Sequence, residues 1–180
     1  MKYISMLRGI NVSGQKKIKM TDLKDLYLSL GFEGVSTYIQ SGNVIFQSSG
    51  SDKKDLKIAI EKAIGEKYNF HVPVTIRTEK ELKEIADSCP YEGAEIEENG
   101  TKILVTFLAS SPSIENQEIL KEYVKAPEKL TIRGSEIYLY CPNGYGKSKL
   151  SNTFLENKLG ISATTRNWKS VRKLCYLSSQ

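Results

Sequence analysis

The stretch VSTYIQSGNVIF, residues 35–46, contains the pattern from which the fold class follows. Its two halves are rich in β-branched and aromatic residues and flank Gln40-Ser41-Gly42. A short connection that contains glycine between two such runs predicts a β-hairpin. The stretch KLTIRGSEIYLY, residues 129–140, repeats the pattern around Gly134-Ser135. We therefore expect two hairpins of the same kind, one in each half of the chain.

The first hairpin has a strand and a helix on each side. Residues 2–8 predict a strand, and apolar residues at helical spacing predict a helix that Thr21 caps and Gly31 ends. A helix at 53–64, closed by Gly65, and the strand VPVTIR follow the hairpin. The order of the elements is therefore β-α-β-β-α-β.

The second hairpin has the same neighbours. The strand KILVTFL and a helix at 113–124 precede it, and a helix at 148–159, the strand SATTR and a final helix NWKSVRKLCYL follow it. The repeated order predicts an α+β fold of two tandem ferredoxin-like (βαββαβ) modules with antiparallel sheets plus a C-terminal helix. We expect the first module at 1–78, a helix and acidic linker at 79–100, and the second module with the C-terminal helix at 101–180.

Composition restricts the function. The chain has 180 residues with 26 Lys and Arg against 21 Asp and Glu, a net charge of +5. It has no apolar run of the roughly 18 residues that a membrane span needs. Its three cysteines are far apart, as in proteins that keep their thiols reduced, so we expect a cytoplasmic protein. The single histidine, His71, and the lack of zinc-ligand spacing predict no metal and no cofactor.

The positive charge is concentrated in the C-terminal third of the chain. Residues 142–180 carry seven cations against Glu156 alone, a net charge of +6, whereas residues 79–98 carry eight acids against two lysines. Such asymmetry attracts anions, nucleic acid included, to the basic third. A solvated surface without a partner has the same composition and stays an alternative.

A glycine-containing loop in this basic third is a candidate anion-binding site. The loop PNGYGKSK at 142–149 connects the second hairpin to a predicted helix, and the last strand ends at the same edge of the sheet. Backbone N–H groups and lysines in such a loop bind phosphate. The match to the nucleotide-binding G-x-x-x-x-G-K-[ST] loop is incomplete because Cys141 replaces its first glycine, so a simple anion site and a helix-capping loop are the alternatives. The candidate residues are Gly146, Lys147, Ser148, Lys149, Arg166 and Asn167.

A second candidate site lies in the first module. In a βαββαβ sheet the end of strand one lies beside the start of strand three, which brings together Arg8, Asn11, Gln40, Ser41 and Asn43. Arginine and amide side chains bind polar or anionic ligands, but these groups include no evident general base or nucleophile. Two structural turns would contain the same residues.

Three functions therefore stay open. The first is a binding protein that uses the basic third to hold a phosphate-bearing ligand, either a small molecule or nucleic acid. The second is an enzyme that acts on a small polar or phosphorylated metabolite at the cleft formed by Arg8, Asn11 and Asn43. The third is a protein-interaction module or homodimer. The sequence does not decide whether the protein is an enzyme.

Six motifs together resemble a known family. They are LRGINV at 7–12, KIKM at 17–20, LGF at 30–32, TYIQSGNVIF at 37–46, SKL at 148–150 and TTRNW at 164–168. The set resembles the bacterial family catalogued as domain of unknown function 1697 along nearly the whole chain. The resemblance implies an α+β fold of two related subdomains in a cytosolic bacterial protein, and it assigns no activity, substrate or cofactor. Ser13 departs from the family's G-I-N-V-G-G loop, in which a second glycine is more frequent.

Overall fold

A computed structural model describes residues 1–49, 52–91, 93 and 100–180. The described chain is an α+β protein with two four-stranded antiparallel sheets and six α-helices. The strands are β1 Lys2–Leu7, β2 Glu33–Tyr38, β3 Asn43–Gln47, β4 Val74–Thr78, β5 Ile103–Leu108, β6 Lys129–Arg133, β7 Glu136–Tyr140 and β8 Ala163–Asn167. The helices are α1 Met20–Ser29, α2 Lys53–Tyr68, α3 Glu79–Asp87, α4 Ile114–Lys121, α5 Asn152–Leu159 and α6 Trp168–Ser178.

The two sheets have the same topology. The strand order is β2-β3-β1-β4 in the first sheet and β6-β7-β5-β8 in the second, and every neighbouring pair is antiparallel. Ser5 lies opposite Val44 in the first sheet, and Thr106 lies opposite Ile137 in the second. Because β5 and β7 are antiparallel neighbours, the second sheet is not the doubly wound parallel sheet in which nucleotide-phosphate loops usually occur.

The described chain divides into two compact units. The first unit consists of Met1–Lys83 and Leu174–Gln180, and the second consists of Glu84–Lys173. The division therefore falls inside α3 and inside α6.

The core of the first unit lies between its sheet and the helices α1 and α2. Tyr3 of β1, Phe46 of β3 and Tyr27 of α1 are buried in it. The Tyr27 hydroxyl shares a hydrogen bond of 2.8 Å with the Ser5 hydroxyl on the same face of the sheet. Burial raises the pKa of Tyr27, although the hydrogen bond with Ser5 opposes the shift. The phenol therefore stays neutral and satisfies the one polar side chain that β1 directs into this core.

The terminal segment 174–180 completes the first unit. Leu174 and Ser178 are fully buried, and the Lys2 ammonium donates a hydrogen bond to the Ser178 carbonyl. The first strand is thus joined to the last residues of the chain.

The core of the second unit has the same construction. Leu104 and Leu108 of β5 and Leu139 of β7 pack with Leu155 and Leu159 of α5. Burying a leucine side chain contributes about 1.5–3 kcal/mol, so these five residues fix α5 on the sheet.

Two helix boundaries in the first unit differ from the sequence expectation. α1 begins at Met20, so Thr21 lies inside its first turn and does not cap it. α2 does not end at Gly65 but continues to Tyr68, and its C-cap is Asn69 with φ of +58°. Asparagine tolerates the left-handed conformation, and a glycine inside a helix weakens the helix without ending it.

Two helices of the second unit, α4 and α5, are shorter than expected. α4 ends at Lys121, and α5 begins at Asn152 instead of residue 148. Ser151 is the N-cap of α5, because its hydroxyl accepts a hydrogen bond from the Phe154 N–H at 3.2 Å. All eight strands lie within two residues of their expected positions.

No helix in the described ranges has the length and apolar character needed to cross a membrane. The predicted acidic linker lies partly outside the described residues, since Glu92, Glu95, Glu97 and Glu98 are not among them.

Candidate functional site

A groove with a volume of about 540 Å³ lies in the second unit. Residues 123 and 125–128, after α4, line one wall, and Pro142, Asn143, Lys147 and Lys149, after β7, line the other. The two walls meet because β6 and β7 pair antiparallel, with Lys129 opposite Tyr140. The loop that enters β6 and the loop that leaves β7 therefore lie at the same end of the sheet.

The groove is basic. Lys125, Lys147 and Lys149 are exposed lysines in its walls, and Glu128 is its one acidic residue. The lysine stems can lie along the apolar surface of the prolines while the ammonium groups face solvent. The arrangement suits an anionic group that several lysines contact together.

The loop between β7 and α5 holds Lys147 by backbone hydrogen bonds. The Gly144 N–H donates to the Cys141 carbonyl at 3.0 Å, and the Lys147 N–H donates to the Gly144 carbonyl at 3.1 Å. Gly144 has φ of +94°, a conformation that residues with a side chain rarely adopt. The Ser148 N–H then donates to the Tyr145 carbonyl at 3.0 Å, which closes a short 3-10 turn over Tyr145–Lys147.

These bonds determine which groups of the predicted anion-binding loop are already engaged. The Lys147 and Ser148 N–H groups are engaged within the loop, and Gly146 lies in the 3-10 turn and not at a helix N-terminus. The Ser148 hydroxyl accepts a hydrogen bond from the Leu150 N–H at 3.1 Å. The loop therefore offers an anion its lysine ammonium groups, while the Lys147 and Ser148 N–H groups are used within the loop.

A network of hydroxyl and amide groups attaches this loop to the sheet. The Thr165 hydroxyl donates to the Asn152 side-chain oxygen at 2.8 Å and shares a hydrogen bond of 2.8 Å with the Thr106 hydroxyl. Asn152 in turn donates to the Ala163 carbonyl at 3.0 Å, and the Tyr145 hydroxyl lies 3.5 Å from the Thr165 hydroxyl. Residues on both sides of Lys147 and Lys149 are thus fixed to β8.

The opposite wall is held by Tyr123. The Lys158 ammonium donates to the Tyr123 hydroxyl at 2.9 Å and lies 4.7 Å from the centre of its ring. The Phe154 ring packs edge-on against Tyr123 with centroids 5.1 Å apart. These contacts from α5 fix the start of the 123–128 wall.

Cys141 lies at the start of the loop and is fully buried. Its N–H donates to the Lys102 carbonyl at 2.7 Å. Burial raises the pKa of its thiol, and a hydrogen bond with Ser148 opposes that shift only in part. The thiol is therefore protonated at neutral pH and is a poor nucleophile.

Arg166 and Asn167 do not line the groove. Arg166 is buried, and its Nη1 donates to the Thr165 carbonyl at 3.0 Å. The Asn167 side-chain oxygen accepts a hydrogen bond from the Ser170 N–H at 2.9 Å, which caps α6. The structure thus brings Lys147 and Lys149 together in the groove and places Arg166 and Asn167 elsewhere in the second unit.

The first unit contains a corresponding pair, Arg77 and Thr78, at the equivalent position of its fourth strand. Arg77 is buried, and its Nη1 donates to the Ile76 carbonyl at 2.9 Å. The Thr78 hydroxyl accepts a hydrogen bond from the Glu81 N–H at 3.1 Å at the start of α3. A buried arginine followed by a helix-capping residue therefore ends the fourth strand of each sheet, which indicates a structural role for Arg166 and Asn167.

The second candidate cluster, in the first unit, is brought together as the topology implies. The Leu7 N–H donates to the Gly42 carbonyl at 2.8 Å, and the Arg8 N–H donates to the Pro73 carbonyl at 2.9 Å. A Cβ at Gly42 would lie 2.5 Å from the Ile10 side chain, so the two loops approach closely only because residue 42 is glycine.

Asn11 joins three segments of this cluster. Its side-chain Nδ2 donates to the carbonyls of Ile18 and Gln40, both at 2.9 Å, and its Oδ1 accepts from the Ile18 N–H at 2.9 Å. Asn11 has φ of +55°, a conformation that asparagine adopts more readily than most residues. Its amide donors are thus engaged within the protein.

Asn43 is also used within the protein. It is fully buried, and its Nδ2 donates to the Tyr38 carbonyl and to the Ser41 hydroxyl, both at 3.0 Å. Gln40 is exposed, and Arg8 is half-buried. The cluster is therefore a set of interlocked turns in which the two asparagine amides hold backbone.

Sequence reasoning did not find the 123–128 wall of the groove. The sequence feature that could have revealed this wall is the predicted pairing of KLTIR with EIYLY, because it places the residues before β6 beside those after β7. Within the part of the chain that the structure describes, His, Cys, Asp and Glu side chains form no group of three that could hold a metal ion.

Comparisons with known proteins identify a family and one structure of similar fold, and they add no activity. A family model described as "Protein of unknown function (DUF1697)" matches residues 1–138. The solved structure of the conserved bacterial protein SP0830 from Streptococcus pneumoniae is similar with a TM-score of 0.76, 22% sequence identity and 98% coverage of both chains. No curated protein matches the sequence. Lys147 and Lys149 lie beyond the residues that the family model matches.

Proposed function

The chain belongs to the DUF1697 family of proteins of unknown function, and from this premise and the geometry of its groove we propose that it binds a phosphate-bearing ligand in the second unit. The observation that carries the proposal is the groove of about 540 Å³, in which three lysines face one glutamate. Lys147 and Lys149 contact the phosphate from one wall and Lys125 contacts it from the other.

The size of the groove supports a small ligand. Small-molecule sites have volumes of about 300–1,000 Å³, so the groove suits one nucleotide or one phosphorylated sugar. A nucleic acid would place one of its phosphates in the same position. Because charges on the surface are screened over about 8 Å at physiological salt, only lysines in or next to contact with the phosphate contribute.

The alternative of an enzyme at Arg8, Asn11 and Asn43 has less support. Both asparagine amides hold backbone carbonyls, and a ligand would have to displace those bonds. Binding at the lysine groove requires no such rearrangement.

We also propose two ferredoxin-like modules, the first at 1–78 and the second at 101–180 with the C-terminal helix, although the end of that helix, from Leu174, belongs to the first compact unit. The repeated βαββαβ order and the strand orders β2-β3-β1-β4 and β6-β7-β5-β8 support this assignment. A cytoplasmic location is proposed as well, supported by Cys89, Cys141 and Cys175, which form no disulfide with one another.

A thermal-shift screen tests the proposed function. The panel contains inorganic phosphate, nucleotides, phosphorylated sugars and short oligonucleotides. A ligand at 100 times its dissociation constant stabilises the native state by about 2.7 kcal/mol. For a chain of this length that stabilisation raises the midpoint by roughly 5–10 °C.

Matched variants locate the binding. Lys147→Ala/Lys149→Ala should weaken binding of the best ligand by at least about tenfold, since each lost charged contact contributes about 1.5–3 kcal/mol. The control, Lys24→Ala/Lys54→Ala, removes the same charge from exposed positions on α1 and α2. If no phosphate compound shifts the midpoint, or if the groove variant binds as tightly as the control, the proposal is wrong.

A further inference from the structure

Three loops of the first unit meet at one end of its sheet. They are residues 8–19, 39–42 and 69–73, which we call the loop surface. The Asn11 side chain donates to the Gln40 carbonyl, and the Lys16 ammonium donates to the His71 carbonyl at 2.7 Å. The three loops are thus bonded to one another and form one surface.

The loop surface is basic without any acidic residue of its own. Its 21 residues include Arg8, Lys16, Lys17 and Lys19 and no Asp or Glu. Two carboxylates lie at its border: Glu61 accepts a hydrogen bond from the Val74 N–H and is paired with Lys57, and Asp22 lies in the first turn of α1. Its positive charge is therefore more uniform than that of the groove in the second unit.

The backbone of the loop surface is strained. Asn11, Ser13, Lys16 and Ile39 all have left-handed φ values, between +45° and +55°. This conformation is least suited to a β-branched residue such as Ile39. Strained residues of this kind persist where the surrounding structure holds them, and they are concentrated at functional sites.

The strained loops also present aliphatic side chains to solvent. Val12 is 60% exposed and Ile39 is 47% exposed. At position 39 asparagine or glycine would relieve the strain and remove the exposed apolar surface, so isoleucine is unfavourable there on two grounds. A partner that covers Ile39 would offset both.

We propose that the loop surface binds single-stranded nucleic acid, with the four cations at the phosphates and Val12 and Ile39 against unstacked bases. A second copy of the same surface is unsuitable, because it would oppose like charges. An acidic protein is less suitable, because three of the four cations are lysines, which are depleted in protein–protein interfaces. A duplex buries its base faces and would leave the aliphatic side chains without contact.

The test uses fluorescence anisotropy in the Lys147→Ala/Lys149→Ala background, so that the groove does not contribute. The probes are a labelled 12-nucleotide RNA, the DNA of the same sequence and the matched duplex. Four phosphate contacts predict a slope of about −3 in log affinity against log salt on a single strand. The affinities for the RNA and the DNA probe show which of the two kinds of single strand the loop surface prefers.

Two variants separate charge from apolar contact. Lys17→Ala/Lys19→Ala should flatten the slope by about 1.4, whereas the control Lys24→Ala/Lys54→Ala should leave it unchanged. Ile39→Asn should reduce single-strand affinity several-fold while its melting temperature stays equal to or above that of the parent. Equal affinity for the duplex, unchanged affinity in Ile39→Asn, or competition by poly-glutamate as strong as by oligonucleotide would each overturn the proposal.

Because the groove lysines are already absent from this background, the result does not depend on the proposed function. The groove proposal is tested separately with the parent protein.

Discussion

Replacing Asn11 should destabilise the first unit in a way that distinguishes a structural residue from a ligand-binding one. Its side chain makes hydrogen bonds with the Ile18 carbonyl, the Ile18 N–H and the Gln40 carbonyl. With a net contribution of about 1 kcal/mol for each bond, their loss amounts to about 3 kcal/mol. In Asn11→Ala the left-handed φ of +55° adds about 1 kcal/mol of strain.

Asn11→Gly is the matched variant, because glycine adopts the same φ without strain. It should lose about 1 kcal/mol less than Asn11→Ala while losing the same three hydrogen bonds. The assay is urea unfolding followed by far-ultraviolet circular dichroism, with free energies from linear extrapolation. A loss below about 0.5 kcal/mol in both variants would refute the structural role, since surface substitutions have effects of that size. Equal losses in the two variants would refute the contribution of strain.

Two further predictions concern ionisable groups. Burial acts to raise the pKa of Glu81, but hydrogen bonds and the charge of Lys53 hold that pKa below its usual value. The carboxylate therefore stabilises the native state above about pH 4.3, and this contribution is lost as the pH falls through the folded pKa. Glu81→Gln should therefore lower the melting temperature at pH 7, and the difference from the parent should shrink as the pH falls through the folded pKa. A difference that does not change with pH would contradict the shift. A brief maleimide treatment at pH 7 should label Cys89 and Cys175 before Cys141, because Cys141 is fully buried and the other two are half-buried. Peptide mass spectrometry that finds Cys141 labelled as fast as Cys89 would contradict this order.

The strands could be predicted from the sequence because their signals are local. The run KLTIR and the run EIYLY match β6 and β7 residue for residue, since alternating branched side chains and a Gly-Ser connection define both strands and turn. The antiparallel order of each sheet followed from the repeat of βαββαβ, and the structure confirms it.

Helix ends were predicted less well because several residues can serve as caps. Ser148 and Ser151 both precede apolar positions, and the choice of Ser151 follows from where Leu155 and Leu159 reach the core. Gly65 is a residue type that often follows a helix end, but α2 packs on the sheet and continues to Tyr68. Tertiary contacts therefore determine where these helices begin and end, and sequence propensity alone does not predict those boundaries.

The sequence predicted one wall of the candidate groove and not the other. Lys147 and Lys149 follow a strand and were identified by chemistry, whereas Lys125 and Glu128 belong to a distant segment that only strand pairing brings near. Arg166 has the same chemistry as a ligand-binding arginine, but burial and its bond to the Thr165 carbonyl give it a structural position. Solvent exposure distinguishes the groove lysines from the buried Arg166, and the exposure of a side chain is known only from the folded structure.

The inclusion of Leu174–Gln180 in the first unit has a consequence for how the protein is made. Ninety residues separate Lys83 from Leu174, and a ribosome adds about 5–20 residues each second, so roughly 5–18 s pass before the first unit can be completed. During that interval the nascent chain exposes the surface that Leu174 and Ser178 later cover, and Lys2 lacks its carbonyl partner. The first unit is thus completed only by a segment made ninety residues after Lys83, so its stability depends on translation through residues 174–180.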